Sequence, residues 1–292
     1  KKLEKTALLS SFGWFKSVMD LLEKFESNLT VKDQNQSDSA TTIASKKNKV
    51  RSIVWNDLQQ NNHLKPYPPS CRDKIPNFRK SNDAAYRVTK LREYRNAKVI
   101  KVNPSLAQMK LREFIMKHGK ALVVPAPAMS PKLCNGGGDF MFLLQDVTNP
   151  KKACTKRGAA KYGRPLIIDE WKDIKIDLFV VGSVAVTKSG VRLGKGLGYA
   201  ELEWGILTTL GVVDSIRTTV VTTVHENQIV EDSLMPAESY MALHDLPVDI
   251  IVTPNRTFHV SERLPKPNCG ILWDQIDVDK MDDIPVLKLL KE

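Results

Sequence analysis

Cysteine is scarce and scattered: Cys71, Cys134, Cys154 and Cys269 in 292 residues, with no CxxC spacing. A disulfide framework needs denser pairing and a zinc site needs close pairs, so the pattern implies free thiols in a reducing compartment. No apolar run is long enough to span a bilayer; the longest, around Leu178–Val186, is broken by Gly182 and Ser183. The start of the chain lacks a continuous apolar segment ending in a cleavage site, and its first 45 residues hold no arginine, so neither a secretory nor a mitochondrial leader is expected. The five histidines form no HxH or HxxxH pair, which argues against a metal centre. No GxSxG elbow is present, and Cys134, in a turn with Asn135–Gly138, has no base placed to activate it. What remains is a soluble cytoplasmic chain, with the nucleus as a second location and no membrane partner.

Acidic residues are also few where it matters. The net charge is +11, yet residues 46–120 alone hold 19 Lys or Arg against 5 Asp or Glu, and the remainder is close to neutral. A basic half beside a nearly neutral half points to a polyanionic partner, nucleotide phosphates or RNA, or else to a solubilising surface with no partner.

Three segments organise the chain. Over residues 1–29, Leu8, Phe12, Phe15, Met19, Leu22 and Leu29 recur at helical steps and predict an amphipathic helix, suited to packing or self-association. Residues 30–45 are polar and read as a flexible linker. From Lys46 the pattern alternates. A helix carries Val50, Ile53, Val54 and Leu58, and a basic irregular segment runs from Ser70 to about Asp83. A second helix, with Ser105 as its cap, carries Ala107, Leu111, Phe114 and Ile115 and closes at Gly119. Strands are expected at 97–102, 121–124, 166–168, 177–186, 218–224 and 248–252, and further helices at 201–210, 237–244 and 284–290. Strands apolar on both faces and alternating with helices predict an α/β domain over 46–292, a mostly parallel, Rossmann-like sheet flanked by helices, with ligand at the carboxyl ends of the strands. The stretch after Pro265 reads as a tail laid across that domain.

The segment Val191–Trp204, VRLGKGLGYAELEW, carries the chemistry. Gly194, Gly196 and Gly198 permit tight turns and close backbone approach, Arg192 and Lys195 bring positive charge, and Leu197 and Tyr199 complete a loop opening onto a helix. Free N–H groups and the positive end of a helix suit a phosphate, although structural turns use glycine as well. Glu201 stands where it could hold Mg²⁺ against bound phosphates, or serve as an ordinary first-turn acid. His225 and His244 fall at ends of core segments and read as structural or solvent-facing.

The loop RLGKGLGY followed by an acid resembles the 5-formyltetrahydrofolate cyclo-ligase family, whose loop reads RLGxGxGYYD. The runs DLFVVGSVAV, VTTVHENQIV, HDLPVDIIVTP and RLPKPNCGILW extend the resemblance over about Lys46 to Leu290. It implies that family's fold and an ATP-dependent, Mg²⁺-assisted closure of 5-formyltetrahydrofolate to the 5,10-methenyl form: the formyl oxygen is phosphorylated, N10 attacks and phosphate leaves. It also implies that Lys47 and Arg51, one helical turn apart, assist the loop in holding phosphate; without the resemblance they are ordinary solvated cations. An RNA-recognition domain follows in some vertebrate relatives.

The chain departs from the family pattern where substrate is handled. Ala200 stands for the second tyrosine, Glu201 for the aspartate, Lys101 for an acid in an EVDT-like phrase, and Pro254 where the last core strand carries an acid after its threonine. These departures point away from full cyclo-ligase activity. Three functions stay open: a phosphate-binding relative that takes nucleotide or RNA, an active cyclo-ligase with altered folate contacts, and a scaffold acting through residues 1–29.

Overall fold

The computed structural model describes residues 40–126, 140–236, 243–276 and 278–291. The amphipathic helix expected at 1–29 lies outside them, as do Cys134 and most of the helix expected at 237–244. Of the expected linker, residues 40–45 are helical, because α1 runs over Ala40–Gln60. No glycine or proline interrupts the chain between residues 30 and 60, so nothing breaks the helix ahead of its packed stripe of Val50, Val54, Trp55 and Leu58. The α/β unit itself covers Lys46–Glu292.

After α1 come α2 (Ser81–Val88), α3 (Arg92–Asn96), β1 (Val99–Val102), α4 (Met109–Lys117), β2 (Ala121–Pro125), β3 (Met141–Leu144), α5 (Pro150–Ala153), α6 (Lys156–Tyr162) and β4 (Arg164–Pro165). There follow β5 (Leu178–Val181), β6 (Ala185–Thr187), β7 (Arg192–Leu193), α7 (Tyr199–Thr209), β8 (Thr219–Thr223), β9 (Ile229–Val230), β10 (Ile250–Val252), β11 (Thr257–His259), α8 (Val278–Asp283) and α9 (Pro285–Lys291). The main sheet has the order β11-β10-β8-β5-β1-β2-β3-β4. Strands β10, β8, β5, β1 and β2 run parallel, while β11, β3 and β4 add antiparallel edges. The expected mostly parallel α/β architecture is present. None of the described helices is long and apolar enough to cross a membrane.

Three expectations give way. The strand expected over 177–186 divides at Gly182: β5 stays in the main sheet, and β6 joins β7 and β9 in a small second one. A Cβ at Gly182 would come within 2.9 Å of Ile75, so the backbone there is pressed against a neighbour and turns away. The strand expected at 166–168 is displaced: Arg164–Pro165 pair with β3, and Ile168–Asp173 form a 3₁₀ turn that buries Trp171. The irregular segment ends at Ser81, where α2 begins on small buried residues, Ala84 and Ala85, too modest to signal a stripe.

The two faces of the sheet bury separate cores, as a period of two demands. Ile100, Val102, Leu122, Val124, Leu178, Val180, Ile250 and Val252 face one way, toward α2 and α4. Val123, Phe179, Val181, Val220 and Ile251 face the other, toward Trp204, Ile206 and Leu207 of α7 and Val286 and Leu287 of α9. The tail after Pro265 is held by a buried ion pair: Lys266 Nζ reaches both Asp249 oxygens at 3.0 and 2.9 Å, and Val220 N donates to the same carboxylate. Beyond β8, His225 stacks on His63 with ring centroids 4.3 Å apart, and its Nδ1 accepts from Asn227 N at 3.2 Å, a structural role for this histidine.

Two outcomes follow from these contacts. Lys266→Met leaves the Asp249 carboxylate buried without its ammonium and should cost about 3 kcal/mol of stability, read as a lower denaturant midpoint at unchanged slope. Burial, and then the neighbouring His63, hold the His225 pKa below its ordinary value, so the unfolded chain takes up that proton first as pH falls. The neutral ring therefore contributes stability above the ordinary histidine pKa that is lost as pH falls toward the lowered one. Between about pH 7.5 and about pH 5.5 the melting temperature of the wild type should fall more than that of His225→Gln.

Candidate functional site

The glycine loop lies between β7 and α7. Gly196 (φ 98°) and Gly198 (φ 67°) take left-handed backbone conformations that other residues rarely adopt, and Gly198 caps the helix. Gly194 is needed for a different reason: a Cβ there would stand 3.1 Å from Arg192 Nη1.

Two arginines hold the loop's shape. Arg192 is buried, and its guanidinium donates to Leu246 O at 3.1 Å, to Gly182 O at 2.9 Å and to Glu201 Oε1. Arg51, from α1, donates to Gly194 O at 2.7 Å and to Asn48 Oδ1 at 2.7 Å. Burial lowers the Arg51 pKa, with Glu201 and Asp245 opposing and Arg192 reinforcing the shift, so these charges sense one another. Lys47, one turn earlier, forms an ion pair with Asp245 at 2.8 Å.

Of the residues singled out in the sequence, Arg51, Arg192, Gly194, Gly196 and Glu201 thus converge. Lys47 stands beside them on the same helix, committed to Asp245. Lys195 and Leu197 are exposed at the tip, Leu197 at 51%, and the Lys195 ammonium lies 5.6 Å from the centre of the Tyr199 ring. Partial desolvation against the loop, then Lys156, lowers the Lys195 pKa, while Glu203 opposes the shift. Among the described residues Lys195 has no ion-pair partner, and no carbonyl or side chain accepts from the amides of Lys195 to Glu201; the first bond of the helix is Leu202 N to Gly198 O at 2.9 Å.

A cradle of unengaged amides at a helix start, with an exposed ammonium beside it, can take phosphate oxygens. A metal ion has less to meet. Glu201 gives one oxygen to Arg192, and the described residues hold no cluster of three or more His, Cys, Asp or Glu able to bind a metal.

Sequence reasoning missed the partner of Lys101. On β1, Ile100 and Val102 face α2 and α4, so alternation turns Lys101 toward α7, beside its register partner Phe179. There its ammonium sits 4.0 Å from the Phe179 ring centre and is paired with Glu203, both groups buried. The lysine does not invert the local charge, because the helix returns an acid to the same place. A lysine in a strand of the central sheet was itself the signal that a buried acid must follow. Asn103, the next residue of that face, donates from Nδ2 to the same Glu203 oxygen at 3.1 Å. After β10, Thr253 Oγ1 accepts from Asn255 N and Arg256 N in a tight turn through Pro254, whose carbonyl accepts from Arg87. Glu226 reaches that turn, bonding Asn255 Nδ2 at 2.8 Å.

Residues 43–254 match the model of the 5-formyltetrahydrofolate cyclo-ligase family. The methenyltetrahydrofolate synthase domain-containing protein of Bos taurus is 36% identical over 245 residues, covering 84% of this chain and 62% of that protein. Its Mus musculus counterpart is 35% identical over 246 residues, covering 84% and 63%. The chain therefore spans about three fifths of the length of these relatives. It is also similar to the solved 5,10-methenyltetrahydrofolate synthetase of Aquifex aeolicus, at 18% identity and a TM-score of 0.44, over 75% of this chain and 93% of that one. With the family's model matched over most of the α/β unit, this chain belongs to the 5-formyltetrahydrofolate cyclo-ligase family.

Proposed function

We propose that this domain binds the phosphate chain of ATP on the glycine loop and the first turn of α7. The observation that carries the reading is the row of amides from Lys195 to Glu201, without acceptors among the described residues, at the start of an 11-residue helix. Phosphate oxygens would supply those acceptors, and the helix dipole favours their charge. Lys195 contributes the ammonium that closes over the bound anion. Arg51 and Arg192 act one step back, holding Gly194 O and Glu201 so that the loop keeps its curvature. A magnesium ion would meet this chain through the second oxygen of Glu201 and take its remaining ligands from phosphate and water.

A second reading goes further: the domain carries out the ATP-dependent closure of 5-formyltetrahydrofolate. The specific observation in its favour is the Lys101–Glu203 pair. Because the pair is neutral, the departure at Lys101 presents no unbalanced positive charge to a substrate. In that reaction the loop's donors would stabilise the charge on the phosphoryl group as it passes to the formyl oxygen.

Two measurements on the wild type and Lys195→Ala test these readings: ATP binding by calorimetry, and ATP-dependent formation of 5,10-methenyltetrahydrofolate. The wild type should bind ATP, and the variant should bind about tenfold more weakly, the loss of one charge-assisted contact. Turnover that falls with the variant would establish catalysis at this loop; ATP binding without turnover would leave a nucleotide-binding domain. Absence of ATP binding, with a single-stranded RNA oligonucleotide held equally by both proteins, would move the anion site to the basic surface and overturn the proposal.

A further inference from the structure

Asn103 is pinned at every polar atom except one. It directly follows β1, at the carboxyl end of a central parallel strand. Its N–H donates to Val180 O at 3.1 Å, and its carbonyl accepts from Arg112 Nη1 at 2.6 Å. Arg112 is itself buried and anchored on Cys154 O at 2.8 Å and Ser105 O at 3.0 Å, so the backbone of Asn103 has little freedom. In the side chain, Nδ2 donates to Glu203 Oε2 at 3.1 Å, and that oxygen also receives Lys101. Exchanging Nδ2 and Oδ1 would set two acceptors against each other, so the carboxylate fixes which way the amide points. The remaining atom, Oδ1, is shielded from solvent and has no hydrogen-bond donor among the described residues. A shielded acceptor left without a donor is costly, and it persists where a ligand or an ordered water completes it.

Its position says what completes it. Glu203 lies one helical turn into α7, whose first turn belongs to the phosphate cradle. The orphan acceptor therefore belongs to a residue at the carboxyl end of a parallel strand, tied through Glu203 to the helix that the glycine loop opens, at the edge of the sheet where ligands of open α/β folds bind. We propose that Asn103 Oδ1 accepts an N–H of the nitrogen heterocycle held at this end of the sheet, and that Asn103 is a specificity-determining residue for ligands presenting that donor. Glu203 and Lys101 are its positioning residues. The assignment rests on the reading that the loop serves a nucleotide and a folate-class substrate. Two heterocycles carry the required chemistry, the amino group of adenine and the amino–amide edge of a reduced pteridine.

The test compares ligand pairs differing by that donor, on the wild-type chain and on Asn103→Leu. One pair is ATP and purine riboside triphosphate, which lacks the 6-amino group. The other is 5-formyltetrahydrofolate and its 2-desamino analogue. Wild type should favour the N–H-bearing member of one pair by about tenfold, and the variant should bind both members of that pair alike. The pair that responds identifies the heterocycle. A merely structural role would weaken both members equally and leave their ratio unchanged. Asn103→Ala, which keeps the backbone contacts to Arg112 and Val180, gives the same comparison if the leucine variant melts early. An unchanged ratio for both pairs in folded variants overturns the proposal and leaves the nucleotide reading standing, with an ordered water as the partner of Oδ1. Failure of the wild type to bind any of the four ligands overturns that reading and this proposal together.

Discussion

The guanidinium of Arg192 ties together three segments: the break after β5 at Gly182, the turn at Leu246 before β10, and the first turn of α7 at Glu201. Its donors are spent on two carbonyls and a carboxylate, so it acts as a strut inside the protein more than as a cation offered to solvent. The constraint propagates outward. Gly194 has to lack a side chain because the strut runs beneath it, and Arg51 can then reach Gly194 O from α1. With Gly194 O held in this way, the amides from Lys195 to Glu201 are left without acceptors among the described residues. The cradle is therefore a consequence of where a buried arginine finds its acceptors.

A second constraint, one strand over, acts on the same helix. The period of two along β1 forces Lys101 onto the α7 face, where a lone ammonium would be prohibitively desolvated. Glu203 answers it, and the pair clasps α7 to β1 while orienting the Asn103 amide. Arg192 with Glu201 and Lys101 with Glu203 thus fix α7 at two successive points. Helix, loop and strand ends form one preorganised unit, in which the exposed Lys195 tip remains free to respond to a ligand.

Much of this was legible in the sequence, for identifiable reasons. Glycine spacing next to a helical pattern announced the loop, because residues other than glycine rarely adopt the backbone found at Gly196 and Gly198. Apolar strands alternating with helices announced a parallel sheet. The convergence of Arg51 on the loop came from family resemblance, since helical spacing alone places it on a face without saying which neighbour it meets. What stayed hidden depends on long-range pairing. Gly182 and Ser183 marked a weakness in an apolar run, but the division of 177–186 between two sheets needed Ile75, distant in sequence, to fill the space. Likewise Lys101 looked like a charge reversal until Glu203, a residue of the loop's own helix, was seen to neutralise it. The short α2 escaped notice because alanines bury well and signal weakly.

The central claim is that the backbone of the loop, and not a cluster of side chains, receives the phosphates. Amide chemical shifts of the isotopically labelled protein, recorded as ATP is added, address that claim most directly. The account predicts that the amides of Gly196, Gly198, Tyr199 and their neighbours from Lys195 to Glu201 move together in one saturable transition. Saturable ATP binding that shifts other amides and leaves those of the loop in place would contradict it.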